Sequence, residues 1–127
     1  MQNGKLVEWV LRVTVAGEFL GHGVFALQGK LGWIKYFTAL GFTPDFAQSV
    51  LPFIGIADLA VALIVLLKPI RAILLWATLW GFWTALLRPL GGDPIWDFVE
   101  RWANWGAPLA LLLLLKGWPK GIKEWFS

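Results

Sequence analysis

Four long apolar stretches dominate this sequence and limit what the chain can fold into. They cover residues 6–27, 46–67, 70–87 and 98–115. About 20 apolar residues in a helix cross the roughly 30 Å hydrocarbon core of a bilayer. With 58% apolar residues and a mean hydropathy of +0.67, a chain of 127 residues has too little interior to hide them from water. The sequence therefore predicts an all-α fold, a single four-transmembrane-helix bundle domain over residues 1–127. No basic segment or cleavage pattern flanks the first stretch, so we expect it to be retained rather than removed as a signal peptide.

The distribution of lysine and arginine predicts the orientation of this bundle. The side that holds both termini and the second connection carries the basic residues Lys5, Lys68, Arg71, Lys116, Lys120 and Lys123. The opposite side mixes basic with acidic residues, and short cytoplasmic loops are enriched in Lys and Arg. We therefore expect both termini to be cytoplasmic in a multi-pass protein of the cell inner (plasma) membrane. Basic flanks beside anionic membrane lipid account for the net charge of +3, so no nucleic-acid partner is expected.

The chain has no cysteine and one histidine, which excludes several kinds of redox site. Without thiols it cannot relay electrons itself, and it cannot hold an iron–sulfur cluster or a thiolate-bound metal. His22 alone cannot supply both axial ligands of a haem. We therefore predict no metal and no haem, and any redox role must use a bound cofactor, a substrate or a partner subunit.

The connections contain clear helix boundaries. Residues 28–45, rich in glycine, aromatic and basic residues, predict an amphipathic segment at the outer membrane interface. Thr43-Pro44-Asp45 is typical of a helix start, with a carboxylate in the first turn. Lys68-Pro69 ends that helix in a tight turn, so the second and third helices are expected to be antiparallel neighbours. Arg88-Pro89 is expected to end the third helix, and Pro108 to interrupt the hydrogen bonds of the fourth.

Four ionisable residues lie well inside the apolar stretches, away from their ends, where charges are costly and normally face the bundle interior. They are Arg12, Glu18, His22 and Asp58. Glu18 and His22 are four residues apart and share a helix face. We predict that Glu18, His22 and Asp58 form the catalytic group, with the two carboxyl groups handling protons, and that Arg12 is the counter-charge of Asp58 or Glu18. The alternative is an ion pair that only holds the first two helices together.

A second polar cluster is predicted at the outer ends of the helices. Its ligand-binding residues would be His22, Trp80, Trp83, Thr84, Arg88, Asp97, Arg101 and Asn104. Trp80, Thr84 and Arg88 recur every four residues on one helix face. Together with the tryptophans they could form an aromatic wall for a flat ring such as a quinone, whose carbonyl oxygen His22 or Arg88 would hydrogen-bond. The alternative is that these aromatic residues serve as an interfacial belt and as core packing.

A family resemblance emerges at the same residues. Arg12, Gly17-Glu18-Phe19, His22-Gly23, Gly29-Lys30 and Trp33 resemble the opening of the DoxX-like family of small four-helix membrane proteins. The Gly55-x-x-Asp58 step and the stretch from Arg88-Pro89 through Asn104 to Pro108-Leu109-Ala110 are similar to the same group. The resemblance implies a membrane protein linked to quinone redox chemistry. The catalytic cysteines of quinone-reducing disulfide-forming enzymes, whose fold is similar, have no counterpart here.

Two functions follow as expectations. The first is a quinone-linked membrane oxidoreductase, or its membrane subunit, with quinone as cofactor and a possible partner redox subunit. The second is a non-catalytic membrane bundle that binds a lipid-like ligand or anchors a partner complex. Small residues on the first helix, among them Gly17, Gly21 and Gly23, would allow close helix packing either inside the bundle or in a homo-oligomer.

Overall fold

A computed structural model describes residues 2–115 and 117–127, and this part of the chain is helical with no β-strand. Its α-helices are α1 (Gln2–Leu27), α2 (Ile34–Ala39), α3 (Pro44–Leu67), α4 (Arg71–Leu90), α5 (Ile95–Val99) and α6 (Ala103–Leu115). Two short 3₁₀ helices, Leu31–Trp33 and Ile122–Phe126, precede α2 and end the chain. The all-α prediction is confirmed. Lys116, one of the residues used to predict the orientation, lies outside the described part.

Three helices are long and apolar enough to cross a membrane. These spans are Asn3–Leu27, Pro44–Leu67 and Arg71–Leu90. Large apolar side chains cover the outside of the bundle, and Phe53 and Leu67 are each 73% exposed. An apolar surface of this extent promotes aggregation in water, whereas it is usual for a protein surrounded by lipid. The fold is thus that of a helical protein suited to a membrane.

The fourth apolar stretch does not form the single helix predicted over residues 98–115. Instead α5 ends at Val99 and α6 begins at Ala103. Between them the backbone turns tightly, and the amides of Arg101 and Trp102 bond carbonyls three residues earlier. With 13 residues, α6 is about 20 Å long, which is shorter than the hydrocarbon core.

The other helix boundaries agree with the sequence except at the end of α4. Thr43 caps α3 by accepting a hydrogen bond from the amide of Phe46 at 3.1 Å, and Asp45 lies in the first turn as predicted. The helix ends before Lys68-Pro69, also as predicted. In contrast, α4 continues past Arg88 to Leu90. Proline is tolerated here because Pro89 removes only one hydrogen bond in the last turn.

The helices pair in an order that differs from their order along the chain. The most extensive contacts are α1 with α3 and α4 with α6, and α1 also packs on α6. Although the three residues 68–70 join α3 to the antiparallel α4, these two helices contact each other only sparingly. The prediction that they are antiparallel neighbours is therefore met, although each of them packs more extensively on another helix.

Glycines allow α1 and α3 to approach closely. A Cβ at Gly55 would lie 2.8 Å from the carbonyl oxygen of Gly23, so a larger residue would push the helices apart. Of the small residues predicted to allow close packing, Gly23 therefore acts inside the bundle. Gly17 and Gly21 have no neighbour within 4 Å of such a Cβ and face outward.

The core lies where the four long elements meet. Its fully enclosed side chains come from all of them: Val15, Ala16, Phe19, Val61, Ala62, Val65, Leu74, Ala77, Leu111 and Leu112. The small residues among these let the helices pack closely, and the branched ones fill the space between them. This arrangement places the polar residues of α1, α3 and α4 toward the two ends of the bundle.

Arg12 does not pair with Asp58 or Glu18, so that prediction is wrong. Its Nη1 lies 3.0 Å from Glu8 on the same helix, while Nε donates to the carbonyl of Val65 at 3.1 Å. Nη2 donates to the carbonyl of Leu66. Arg12 therefore lies away from Asp58, toward the end of the bundle where α3 ends. There it holds α1 against the last turn of α3.

Both ends of the chain lie at this same end of the bundle. A cavity of about 300 Å³ is lined by residues from α1, from the α3–α4 turn, from the end of α6 and from the C-terminus: Lys5, Glu8, Arg12, Lys68, Pro69, Arg71, Leu115 and Ser127. The Nη1 of Arg71 donates to the carbonyl of Glu124 at 3.0 Å and to the Ser127 hydroxyl at 3.2 Å. Lys5, near the start of α1, and Ser127 thus lie at the same end of the bundle.

Candidate functional site

At the opposite end of the bundle, residues 31–39 cross over the tips of α1, α3 and α4. We call them the covering segment. Beneath it lies a cavity of about 60 Å³, here called the covered cavity. It is lined by His22, Trp33, Tyr36, Phe37, Leu51, Ile54, Asp58, Trp80, Thr84, Leu87 and Arg88. Apolar and aromatic side chains predominate, and a few polar groups converge among them, which is the usual character of a ligand site.

Arg88 supplies the unpaired donors of this cavity. It extends from the last turn of α4 and is only 8% exposed. Its Nε is buried without a hydrogen-bond partner, and no carboxylate in residues 2–115 or 117–127 forms an ion pair with it. The guanidinium carbon lies 4.7 Å from the Tyr36 ring and 6.0 Å from the Trp33 ring. Aromatic faces stabilise the charge but leave its N–H groups available.

His22 reaches the cavity from the last turns of α1. Its ring centroid lies 5.7 Å from that of Trp33. The positive charges of Arg88, Arg101 and Lys30 all act on it. Because a neutral imidazole has one donor and one acceptor nitrogen, His22 can accept a hydrogen bond from a ligand or donate one to it.

Asp58 supplies the acidic group on the opposite wall. It is 3% exposed, and within the described residues it has no hydrogen bond or ion pair. The nearby carboxyl group of Glu18, on α1, interacts with it electrostatically. Asp58 lines the cavity, and a buried carboxyl group in this position can exchange a proton with a ligand.

Asp93 holds the covering segment in place. One carboxylate oxygen accepts a hydrogen bond from Lys35 Nζ at 2.6 Å, and the other accepts one from the Tyr36 hydroxyl at 2.7 Å. These bonds, from Lys35 first and Tyr36 second, lower the pKa of Asp93, and the Asp93 bond raises the pKa of Lys35. The Tyr36 ring lies so close to Gly91 that a Cβ there would be 2.5 Å from its Cδ1. We call these contacts the Asp93 latch.

The structure brings together five of the predicted site residues: His22, Asp58, Trp80, Thr84 and Arg88. Glu18 lies behind Asp58, and the other predicted residues lie outside the cavity lining. Trp83 is 37% exposed on the outer surface. Arg101 pairs with Glu100 at 2.9 Å and also donates to the Asp97 carbonyl at 2.9 Å. The backbone carbonyl of Asn104 packs directly against Gly81.

The covering segment contributes cavity residues that the sequence did not single out. Trp33, Tyr36 and Phe37 belong to the interfacial segment of residues 28–45, which was also expected to roof the polar cluster, but none of them was assigned to the ligand-binding set. Leu51, Ile54 and Leu87 were interpreted only as parts of apolar helices. The one available signal was Tyr36, the only tyrosine in the chain. A buried tyrosine usually needs a partner for its hydroxyl, and Asp93 provides it 57 residues away.

Among the described residues, no group of three or more His, Asp or Glu side chains is placed to hold a metal ion. Comparison of the chain with protein-family models, with curated proteins and with solved structures finds no match. The function is therefore argued from the geometry of the covered cavity.

Proposed function

We propose that this chain is a DoxX-like integral membrane protein that crosses the inner (plasma) membrane four times with both termini in the cytoplasm. Three helices of membrane-spanning length and the apolar outer surface support this topology. For the fourth crossing, α6 would be extended by the tryptophan-rich turn that precedes it. The return of both chain ends to one basic end of the bundle supports a common cytoplasmic side.

We further propose that the covered cavity binds the oxygen-bearing edge of a quinone-type ring, and that the chain is a quinone-linked membrane oxidoreductase or its membrane subunit. The observation that carries this proposal is Arg88, a buried cation with an unpaired Nε on the wall of a cavity. A buried donor without a partner costs about 1–3 kcal/mol, which a ligand oxygen would offset.

The residues of the cavity fit the oxygens of such a ring. Arg88, Thr84 and His22 can donate hydrogen bonds to a carbonyl oxygen, and Asp58 can accept one from a hydroxyl. When bound, a quinone accepts two electrons and two protons to become a quinol. Asp58, backed by Glu18, and His22 would exchange the protons. Since the chain has no cysteine, the electrons would come from a partner redox subunit.

Binding of a water-soluble quinone analogue, measured by quenching of tryptophan fluorescence, tests the site. His22→Phe keeps an aromatic ring and removes both nitrogens, and Arg88→Met keeps the stem and removes the donors. Each variant should bind the analogue about tenfold more weakly, the loss expected for one hydrogen bond of about 1.5 kcal/mol to a charged or buried partner. Melting temperatures should stay close to that of the parent.

Lys123→Met is the control, because Lys123 is an exposed cation at the other end of the molecule and does not line the cavity. It should bind the analogue like the parent. Equal quenching in the parent, His22→Phe and Arg88→Met would contradict the site. That result would favour the second function, a non-catalytic bundle that binds a lipid-like ligand or anchors a partner complex.

A further inference from the structure

A groove of about 280 Å³ lies beside the covered cavity, on the apolar side of the bundle. It lies between α3 and α4 and is lined by Phe53, Ile54, Ala57, Asp58, Trp76 and Trp80. Three of these residues, Ile54, Asp58 and Trp80, also line the covered cavity. The two spaces therefore share a wall and meet at a carboxylate. We call the larger space the α3–α4 groove.

The groove exists because α3 and α4 contact each other only sparingly, while each packs tightly on another helix. Its rim is apolar and open, with Phe53 73% and Trp76 45% exposed. Trp76 and Trp80 stack at 5.4 Å with an interplanar angle of 15°, which makes one wall flat. The small side chain of Ala57, which lines the groove between Phe53 and Asp58, leaves open space beside them. In a bilayer this opening faces lipid.

The sizes of the two spaces limit what can bind. Sites for drug-sized ligands enclose about 300–1,000 Å³, and the covered cavity holds only about 60 Å³. It therefore admits the polar edge of a molecule, and the remainder must lie elsewhere. The α3–α4 groove is the neighbouring space that shares its lining.

We propose that the ligand is a membrane-dissolved amphiphile whose polar end enters the covered cavity and whose hydrocarbon chain lies in the α3–α4 groove. This inference rests on the proposed binding role of the covered cavity. The ligand enters sideways from the bilayer between α3 and α4, because the covering segment and its Asp93 latch close the end of the bundle. An ordinary lipid chain alone does not explain the site, since it would leave Asp58 and Arg88 against hydrocarbon.

The test compares two quinone analogues with the same ring, one bearing a ten-carbon chain and one a methyl group. Their binding to the protein in lipid nanodiscs is measured by isothermal titration calorimetry. Ala57→Phe fills the groove at a residue that does not line the covered cavity. It should weaken binding of the long-chain analogue by about tenfold, as overpacking typically does, and leave the methyl analogue unchanged.

Ala60→Phe is the matched control, since Ala60 is exposed on α3 outside the groove lining. Both analogues should bind it as they bind the parent. Trp76→Leu removes half of the flat wall without touching the covered cavity, and it should show the same selective loss. This variant decides the question if Ala57→Phe does not fold.

Two failures can be told apart. If the parent binds both analogues and neither groove variant distinguishes them, the hydrocarbon chain does not lie in the groove and this inference is overturned, while the covered cavity remains a binding site. If the parent binds neither analogue, the proposed function itself fails and the inference falls with it.

Discussion

The guanidinium of Arg12 stabilises the end of a helix other than its own. Val65 and Leu66 belong to the last turn of α3, where carbonyl groups have no partner within the helix. The negative end of the helix dipole lies at the same place. The guanidinium of Arg12 therefore donates to two free backbone carbonyls of α3 and lies beside the partial negative charge at that end of the helix. Its one carboxylate partner, Glu8, is on α1.

Removing this side chain should destabilise the bundle strongly. Arg12→Met leaves the Glu8 carboxylate and two helix-end carbonyls without their donor. Breaking a buried charged pair from one side costs about 3–5 kcal/mol. We expect a loss of this size in the free energy of unfolding, measured in detergent micelles. The Arg12 and Glu8 side chains are 10% and 13% exposed, so water screens the interaction little.

A double-mutant cycle separates the true partner from the one expected from charge alone. Arg12→Met combined with Glu8→Gln should show a coupling of about 0.5–3 kcal/mol. Arg12→Met combined with Asp58→Leu should be additive within about 0.5 kcal/mol, because the two side chains do not touch. Coupling to Asp58 and none to Glu8 would show that this account of Arg12 is wrong.

Ionisable residues inside apolar stretches were readily predicted, whereas their partners were not. The periodicity of α1 places Glu18 and His22 on one face, and the structure keeps both near Asp58. The acceptors of Arg12 are backbone carbonyls, which every residue has and no sequence pattern marks. Likewise, the Nε of Arg88 is buried because the covering segment passes over it, and no residue along α4 indicates this burial.

At the scale of elements, few contacts hold the covering segment in its position across the end of the bundle. Tyr36 is its buried residue, and α2 has only six residues, too short to be stable alone. The Asp93 latch is therefore important in fixing it across the bundle. Asp45 and Thr43 at the start of α3 were predictable because a helix cap is a local pattern. Asp93 and Tyr36 are far apart in the sequence and meet only after folding.

The latch should open at low pH. The lowered pKa of Asp93 means that its contribution is complete above the ordinary aspartate pKa and is lost as the pH falls through the lower folded value. The raised pKa of Lys35 keeps the amine charged across the neutral range, and its contribution is lost only as the pH rises through that raised value. The protection factors of the amides in residues 34–39, which correct the exchange rate for the intrinsic pH dependence of amide exchange, should therefore be high at neutral pH and fall below about pH 4.

Asp93→Asn should give faster exchange in α2 already at neutral pH, and acid should then add little. Asp45→Asn is the matched control, because it removes an exposed carboxylate at the same end of the molecule without touching Lys35 or Tyr36. It should behave like the parent. Equal exchange in the parent and Asp93→Asn would mean that other contacts hold the segment.

At the scale of the whole molecule, four apolar stretches predict four crossings, and the described residues contain three helices of membrane-spanning length. Hydrophobicity does not specify which helix packs on which. The pairs α1–α3 and α4–α6 are set by close backbone contacts, Gly23 with Gly55 and Gly81 with the Asn104 carbonyl. A glycine in the sequence shows that such an approach is possible without naming the partner. The break before α6 was missed because Glu100, Arg101 and Trp102, where it occurs, include neither glycine nor proline to mark a helix end.

Reporter fusions test the orientation of the molecule. A reporter after Ser127 should be active in the cytoplasm, and one inserted at residues 91–93 should be active on the outer side. Lys and Arg at the end of the bundle where both termini lie are the reason for this expectation. The reverse pattern would place the covered cavity on the cytoplasmic side. A second reporter, fused at Lys5, should agree with the one after Ser127. If these two reporters lay on opposite sides of the membrane, the result would contradict four crossings.

The Arg12 contact also has a consequence for biosynthesis. Its acceptors are 53 and 54 residues further along the chain. At about 5–20 residues per second, roughly 3–10 s pass between the synthesis of the arginine and that of its acceptors. During this interval only Glu8, one turn earlier, can neutralise the guanidinium. For a chain that inserts into a membrane, we therefore expect the first helix to stay in a hydrated place until the end of α3 arrives.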